Sequence, residues 1–236
     1  YKTPFYCYSL SQLKYNFLHL KNSFNKIKPL ICFSVKSNSN INLLKELKKL
    51  GSGADVVSMG ELIRSIKAGI SSKKIVFSGI GKTEEELRFA INKKILSINI
   101  ESESELILVN KISKQFKKKT NIGIRLNPNI DAQTHKKIST GKSDDKFGLS
   151  NQNLSKLLKK ISKFKNINLI AISVHIGSQI HNIEPFLKTL DILDKIMNKN
   201  SLKLKYIDLG GGVGIPYAKS QKQINLNEYA KIISDF

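Results

Sequence analysis

The sequence is poor in cysteine and lacks long apolar runs, and each shortage excludes a class of protein. Cys7 and Cys32 are the only cysteines among 236 residues, too few for a disulfide scaffold in a chain of this size. No cysteine–histidine spacing is typical of a zinc site. No apolar run reaches the ~20 residues of a membrane-spanning helix, and no signal peptide is recognisable. We therefore expect a globular cytoplasmic protein with no metal and no membrane partner.

Acidic residues are also scarce, and the resulting positive charge raises the question of nucleic-acid binding. Asp and Glu number 18 against 40 Lys and Arg, which gives a formal net charge of +22. However, arginine, the usual reader of bases and phosphates, occurs only at Arg64, Arg88 and Arg125. The lysines lie on helix backs, as in 45–49, and do not cluster with aromatic side chains. We expect no nucleic-acid partner; a salt-dependent DNA-retention assay would detect that alternative.

The apolar pattern predicts strands and helices in strict alternation, after a short strand at 3–8. Such alternation is typical of an α/β fold with a parallel sheet. Seven further strands are predicted at 31–37, 53–58, 74–79, 97–101, 121–127, 169–177 and 204–209. Helices are predicted at 9–24, 40–50, 61–68, 83–92, 104–117, 151–164, 184–198 and 226–236, and a long polar loop at 128–148.

Two architectures fit this alternation, a (β/α)₈ barrel and a doubly wound open sheet, and the strand faces distinguish them. A central strand of an open sheet meets helices on both faces and is bulky on both. The strands at 121–127 and 169–177 are bulky on one face only, with Gly123, Arg125 and Asn127 on the other face of the first. We therefore predict a (β/α)₈ TIM barrel, incomplete at its C-terminus. The chain opens on Tyr1 and stops inside a helical pattern, so we expect a piece of a longer protein.

Lys36 ends the inner face of the first barrel strand. Residues 31, 33 and 35 are bulky and apolar, whereas Cys32, Ser34 and Lys36 alternate with them on the other face. In a parallel barrel the C-terminal strand ends surround the active site. A partly desolvated lysine there is suited to forming a Schiff base with an aldehyde such as pyridoxal phosphate. The alternative is a lysine placed at an element end for solubility.

Two further motifs lie at the same predicted rim. Gly210, Gly211 and Gly212 directly follow the strand at 204–209, and glycine turns after the seventh strand of a barrel often bind phosphate. His175 ends the inner face of the strand at 169–177, with Ser178 in the turn beyond. An imidazole there can stack on a flat ring or transfer protons, and a serine hydroxyl can bond a phosphate oxygen. The alternatives are a sharp turn and a histidine hydrogen-bonded within the barrel.

Asp55 and Arg125 form a third candidate group, because both are charged residues on predicted inner faces. Buried charges are costly unless they are paired. Two interpretations stay open at this point: a salt bridge between them across the barrel, or orientation of a cofactor or of the lysine.

Six motifs resemble, in their order, those of diaminopimelate decarboxylases, which are pyridoxal-phosphate decarboxylases with an alanine-racemase-like barrel. The resemblance runs from Pro4 to Tyr217, and the 134–141 segment is similar to the diaminopimelate branch in particular, since ornithine and arginine decarboxylases differ in this loop. The motifs are Ser34-Val35-Lys36-Ser37-Asn38, 53–58 with 60–62, 125–128, Lys146-Phe147-Gly148, His175-Ile176-Gly177-Ser178-Gln179 and 210–214.

This resemblance implies a fold-type III enzyme that uses pyridoxal 5′-phosphate to convert meso-2,6-diaminopimelate to L-lysine, the last step of lysine biosynthesis. Lys36 would carry the cofactor and His175 would stack on its ring, and these two are the implied catalytic residues. The remaining implied cofactor-binding residues are Ser178, Gly210, Gly211 and Gly212 at the phosphate, and Asp55 and Arg125 beneath the lysine and the ring.

The resemblance also implies parts that lie outside residues 1–236. Family members have an acidic residue on the eighth strand that pairs with the pyridine nitrogen, and a C-terminal β-domain that completes the site, partly from a second subunit of a homodimer. We therefore interpret 1–236 as a single, truncated barrel domain that is inactive alone. The alternatives are an ornithine/arginine-type or other basic amino-acid decarboxylase of the same fold and a non-catalytic pyridoxal-phosphate-binding barrel.

Overall fold

The computed structural model describes residues 2–132, 140–141, 147–217 and 223–236, and within them one parallel sheet carries the fold. Seven strands pair in chain order, from β1 to β7, all parallel. They are β1 Cys32–Ser34, β2 Gly53–Val56, β3 Ile75–Phe77, β4 Ser97–Ile100, β5 Thr120–Leu126, β6 Ile167–Val174 and β7 Tyr206–Asp208. The predicted alternation and the predicted seven strands are confirmed.

Eight α-helices alternate with the strands within the described residues, each close to its predicted position. The largest buried side chains, including Phe77, Leu62 and Ile124, come from both strands and helices and form one core cluster. The helices are α1 Leu10–Ser23, α2 Ile41–Lys49, α3 Met59–Lys67, α4 Glu84–Asn92, α5 Glu103–Gln115, α6 Asn151–Lys160, α7 Glu184–Lys199 and α8 Leu226–Asp235.

The sheet curls into an incomplete barrel, and one side-chain contact shows this directly. Neighbouring strands lie ~4.8 Å apart, so β4 and β7 would be about 14 Å apart in a flat sheet. Instead, Asn99 Nδ2 of β4 donates to Asp208 Oδ2 of β7 over 3.0 Å. The small and polar strand faces therefore line a narrow interior, as the alternation of bulky and small residues predicts. The open-sheet alternative is wrong.

Short polar turns lead from strand to helix at three successive units. Ser58, Thr83 and Ser102 are the N-caps of α3, α4 and α5, and each side chain accepts from the backbone N–H three residues on. The predicted capping box at Thr83 and Glu86 is present, because the Glu86 carboxylate also accepts from the Thr83 N–H. These caps satisfy N–H groups that a helix start leaves without partners.

Two predicted strands differ from the structure. Segment 3–8 is exposed and forms no strand with any residue described. The strand predicted at 31–37 ends at Ser34, and Val35–Ser37 form a 3₁₀ turn. The Ser37 hydroxyl donates to the Ser34 carbonyl over 2.7 Å, a local bond that competes with the sheet ladder. Lys36 thus lies just beyond β1.

In the described ranges, every helix is too short or too polar to cross a lipid bilayer.

Candidate functional site

Lys36 lies in the turn after β1, at the carboxyl end of the sheet. The residue is exposed, because it lies in a turn and not within the strand. Its ammonium is nevertheless close enough to lower the pKa of two groups of the interior, Asp55 and His175. The amine therefore faces the barrel mouth and remains open to a ligand.

Asp55 of β2 lies inside the barrel, where its carboxylate is buried. Burial raises its pKa to about 6, helped by the nearby negative charge of Asp208. A hydrogen bond from Ser78, the charge of Lys36 and a hydrogen bond from Ser34 oppose this rise; the Ser34 hydroxyl donates to Oδ2 over 3.3 Å. Asp55 is thus a carboxylic acid with a pKa of about 6 that lies close to the candidate lysine.

His175 follows β6 directly, and its ring is held in one orientation. Its Nδ1 accepts from the Gly211 N–H over 3.2 Å, so the ring proton of the neutral imidazole lies on Nε2. Burial, together with the positive charges of Arg125 and Lys36, lowers its pKa to about 4. The ring is therefore neutral at pH 7. The alternative interpretation of His175, a hydrogen bond within the barrel, is therefore also present.

Arg125 of β5 is paired, but its partner is not Asp55. Its Nη1 lies 3.0 Å from Glu101 Oε1, and its guanidinium carbon lies 4.7 Å from the centre of the Phe147 ring. The other oxygen of Glu101 accepts from the Gly148 N–H over 3.1 Å. The proposed salt bridge between Asp55 and Arg125 is therefore wrong, since Glu101 neutralises the guanidinium from the adjacent strand. The same carboxylate attaches the loop after residue 146 to the barrel.

The glycine turn after β7 can be tested for its fit to a phosphate group. The N–H of Gly210 is bonded to Asp208 and that of Gly211 to His175. A Cβ added at Gly211 would meet no atom within 4 Å, so the turn faces open space. Gly212 has φ +93° and its added Cβ would overlap the Gly177 carbonyl oxygen, which requires glycine there. Its own N–H has no partner in the described part of the chain and is free to bind an anion.

Ser178 is held beside this turn by the two residues that follow it. The side-chain amide of Gln179 donates to the Ile215 carbonyl over 3.3 Å and accepts from the Ile215 N–H over 3.1 Å. Ile180 N–H donates to the Gly212 carbonyl over 2.8 Å. The serine turn and the glycine turn therefore form one unit, and together they fit a phosphate.

The structure thus brings all the predicted site residues to one end of the sheet. It also reveals interior residues that sequence reasoning missed, namely Ser78, Asn99, Glu101 and Asp208. Asn99 in β4 and Glu101 directly after it alternate with Ile98 and Ile100, so the pattern that singled out Arg125 could have found them. Lys146 and the 134–139 segment lie outside the described residues. No group of three or more His, Cys, Asp or Glu able to hold a metal occurs within the described ranges.

A family model matches nearly the whole chain. The model described as pyridoxal-dependent decarboxylase, pyridoxal binding domain, matches residues 10–236.

Individual relatives carry the similarity across nearly the whole chain. Diaminopimelate decarboxylase of Campylobacter jejuni is 41% identical over 98% of this chain and 58% of its own length. The crystal structure of diaminopimelate decarboxylase from Helicobacter pylori complexed with L-lysine is 39% identical, with a TM-score of 0.95, over 100% of this chain and 60% of that one. The enzyme of M. jannaschii in co-complex with L-lysine is 35% identical, with a TM-score of 0.88, over 96% and 55%. The chain therefore spans somewhat more than half the length of these relatives.

Proposed function

The chain belongs to the pyridoxal-dependent decarboxylase family, as its pyridoxal binding domain, and from this premise we propose its function. Residues 1–236 form one barrel domain that binds pyridoxal 5′-phosphate, in an enzyme that decarboxylates meso-2,6-diaminopimelate to L-lysine. The observation that carries the proposal is the meeting of an accessible lysine amine, a neutral histidine ring and an unpaired glycine-turn N–H at one end of the barrel, among the residues described. The names of the relatives support the choice of substrate.

The chain's own groups would hold the cofactor at three points. Lys36 would bind the aldehyde covalently, since its exposed amine is reachable from the barrel mouth. His175 would lie against the pyridine ring as an uncharged plane, because its Nδ1 is fixed by Gly211. The Gly212 N–H and the Ser178 hydroxyl would bind the phosphate. When bound, the cofactor supplies an electron sink for the charge left at Cα as CO₂ departs.

Two ionisable side chains would set the electrostatics around this arrangement. Asp55 offers a carboxylate near Lys36 that gains a proton as the pH falls through about 6. Arg125 is held by Glu101 and Phe147 and keeps a positive charge beside the His175 ring. This charge favours the neutral form of the imidazole, which suits stacking on a cationic pyridine ring better than an imidazolium would.

We also propose that the whole enzyme is a homodimer that acts in the cytoplasm. Both cysteines are free thiols, which suits a reducing compartment. The dimer is proposed from the resemblance alone.

The first test is covalent binding of the cofactor. Purified protein mixed with pyridoxal phosphate should develop an absorbance band near the visible edge, and borohydride reduction should fix one phosphopyridoxyl group on Lys36, located by peptide mass spectrometry. Lys36→Ala should show neither signal, whereas Lys45→Ala, which removes an exposed lysine of α2, should behave like the natural chain. Labelling spread over many lysines would refute the proposal.

The substrate is tested separately with the full-length enzyme. Release of CO₂ from meso-2,6-diaminopimelate should exceed release from ornithine, arginine or lysine at equal concentrations. A preference for ornithine or arginine would support the alternative branch, and cofactor binding without CO₂ release from any of them would support a non-catalytic barrel.

A further inference from the structure

We propose that Asn99 is a positioning residue of this site, which couples the glycine turn after β7 to the acid beside Lys36. The inference rests on the proposed function, because it concerns how this chain prepares itself for the cofactor. Asn99 does not face the barrel mouth directly, and it would act only through its hydrogen-bond partners.

The amide of Asn99 donates to two different elements at once. Its Nδ2 lies 3.0 Å from Asp208 Oδ2, at the end of β7. The same nitrogen lies 3.1 Å from Ser78 Oγ, just beyond β3. A primary amide has two N–H hydrogens, so this side chain uses both of them, one for each partner.

The bond to Asp208 leads to the phosphate end of the site. The second oxygen of Asp208 accepts from the Gly210 N–H over 2.9 Å. Asn99 thus holds the carboxylate in the rotamer that orients the glycine turn. Without this bond the glycine turn would lose one of its anchors.

The bond to Ser78 leads to the lysine end. The Ser78 oxygen accepts from Asn99, and Ser78 also lies near enough to Asp55 to lower the pKa of that carboxyl. The positive charge of Lys36 in turn lowers the pKa of Asp55. One amide therefore orders the donors and acceptors between the lysine and the glycine turn.

Space for this amide is built into the neighbouring strand. A Cβ at Gly123 of β5 would overlap Asn99 Oδ1, so the side chain can extend only over a glycine. Lys82 Nζ donates to the Asn99 carbonyl over 2.8 Å and pairs with Glu105 at 2.7 Å, which fixes the backbone. An aspartate of the same shape would present an acceptor to Asp208 and would lose both donated bonds.

The test compares Asn99→Asp with a matched control at the opposite end of the barrel. Asn168→Asp also removes a side-chain amide donor, which bonds Asn121 Oδ1 over 2.7 Å near the start of β6. Dissociation constants for inorganic phosphate and for pyridoxal phosphate are measured by calorimetry, and folding is checked by circular dichroism. We expect Asn99→Asp to weaken both affinities about tenfold, the effect of losing a hydrogen bond to a charged group, and Asn168→Asp to change them less than twofold.

A charge swap then separates positioning from packing. In the double variant Asn99→Asp with Asp208→Asn, the amide introduced at position 208 can donate to the carboxylate introduced at position 99, while its oxygen still accepts from Gly210. Phosphate affinity should return to within about threefold of the natural chain. A merely structural loss would grow with the second substitution.

The outcomes distinguish the inference from the proposed function. Equal phosphate affinity of Asn99→Asp and Asn168→Asp, or failure of the swap to restore affinity, overturns the role of Asn99. Absence of a Lys36-linked cofactor in the natural chain overturns the proposed function, and the phosphate measurements then decide the role of Asn99 alone. If Asn99→Asp does not fold, Asn99→Ser, which adds no charge, is measured in its place with the same expected loss.

Discussion

At the residue scale, His175 and Asp55 are ionisable groups whose burial changes their pKa in opposite ways. His175 loses affinity for protons and titrates with a pKa of about 4 instead of 6.5. Asp55 gains affinity and titrates with a pKa of about 6 instead of 3.8. As the pH falls from 6.5 to 4, the unfolded chain takes up a proton at His175 before the folded chain does, which lowers the free energy of unfolding. The folded chain takes up a proton at Asp55 before the unfolded chain does, which raises the free energy of unfolding. The two effects oppose each other in one window, so the natural chain should show a muted acid response.

The variant His175→Gln should expose the histidine contribution. The stability advantage of the natural chain over this variant should be fully present above pH 6.5 and should shrink by about 2–3 kcal/mol as the pH falls to 4, since each unit of pKa shift is worth about 1.4 kcal/mol. Urea denaturation at half-unit pH steps measures it. Asp55 is present in both proteins and its effect cancels in the difference. A difference that is constant over this range would show that the ring is not held neutral.

At the element scale, adjacent strand-to-helix turns are connected by the glutamates at their helix starts. Glu86 of α4 accepts from the Thr83 N–H over 2.9 Å and also from the Met59 N–H of α3 over 3.0 Å. One carboxylate therefore serves the start of its own helix and the start of the preceding helix. This arrangement stabilises the order of units around the barrel without using the interior.

Replacing this glutamate should cost more than an ordinary surface change. Glu86→Ala leaves two backbone N–H groups without their acceptor, so we expect a loss of about 2 kcal/mol in the free energy of unfolding. Glu85→Ala, in the same helical turn, is the control and should change stability by less than about 0.5 kcal/mol. Chemical denaturation of both variants gives the comparison, and similar values for the two would contradict the bridging role.

The strands were predictable where the alternation of apolar residues alone determines them. They were less predictable where a side-chain hydrogen bond competes with the backbone hydrogen bonds of the sheet. Alternation in β5 and β6 marked the inner face and led to Arg125 and His175. The end of β1 was missed because the Ser37 hydroxyl closes a turn there, a choice that alternation does not encode. A salt bridge between Arg125 and Asp55 was one of two open interpretations, whereas the partner is Glu101, directly after the neighbouring strand β4. Choosing between two buried carboxylates requires the register of β4 against β5, which no single-strand pattern contains.

At the scale of the whole molecule, the net charge of +22 sets a repulsive background. Fifteen lysines are exposed on the described α-helices, and the pairs of α7, such as Lys195 with Asp191, are exposed as well. By contrast, the pairs Lys82–Glu105 and Arg125–Glu101 are shielded from solvent. Salt therefore screens the repulsion more than it screens the buried attractions.

The thermal midpoint should consequently rise when NaCl is raised from about 10 mM to about 150 mM, as the screening length falls from ~30 to ~8 Å. Scanning calorimetry of the protein in a fixed buffer measures the shift. Lys73→Glu, at an exposed position, lowers the net charge by two and should reduce the salt response. A midpoint that falls with salt would show that attractive surface pairs outweigh the repulsion.

The contact between Asn99 and the bare backbone of Gly123 also limits how this barrel can change over time. Any side chain larger than hydrogen at position 123 is blocked while the amide stays extended. A shorter side chain at position 99 would in turn lose the hydrogen bonds to Ser78, just beyond β3, and to Asp208 of β7, which holds the glycine turn. A substitution at only one of the two positions is therefore destabilising, and selection would remove it. We expect residues 99 and 123 to be substituted together or to stay unchanged.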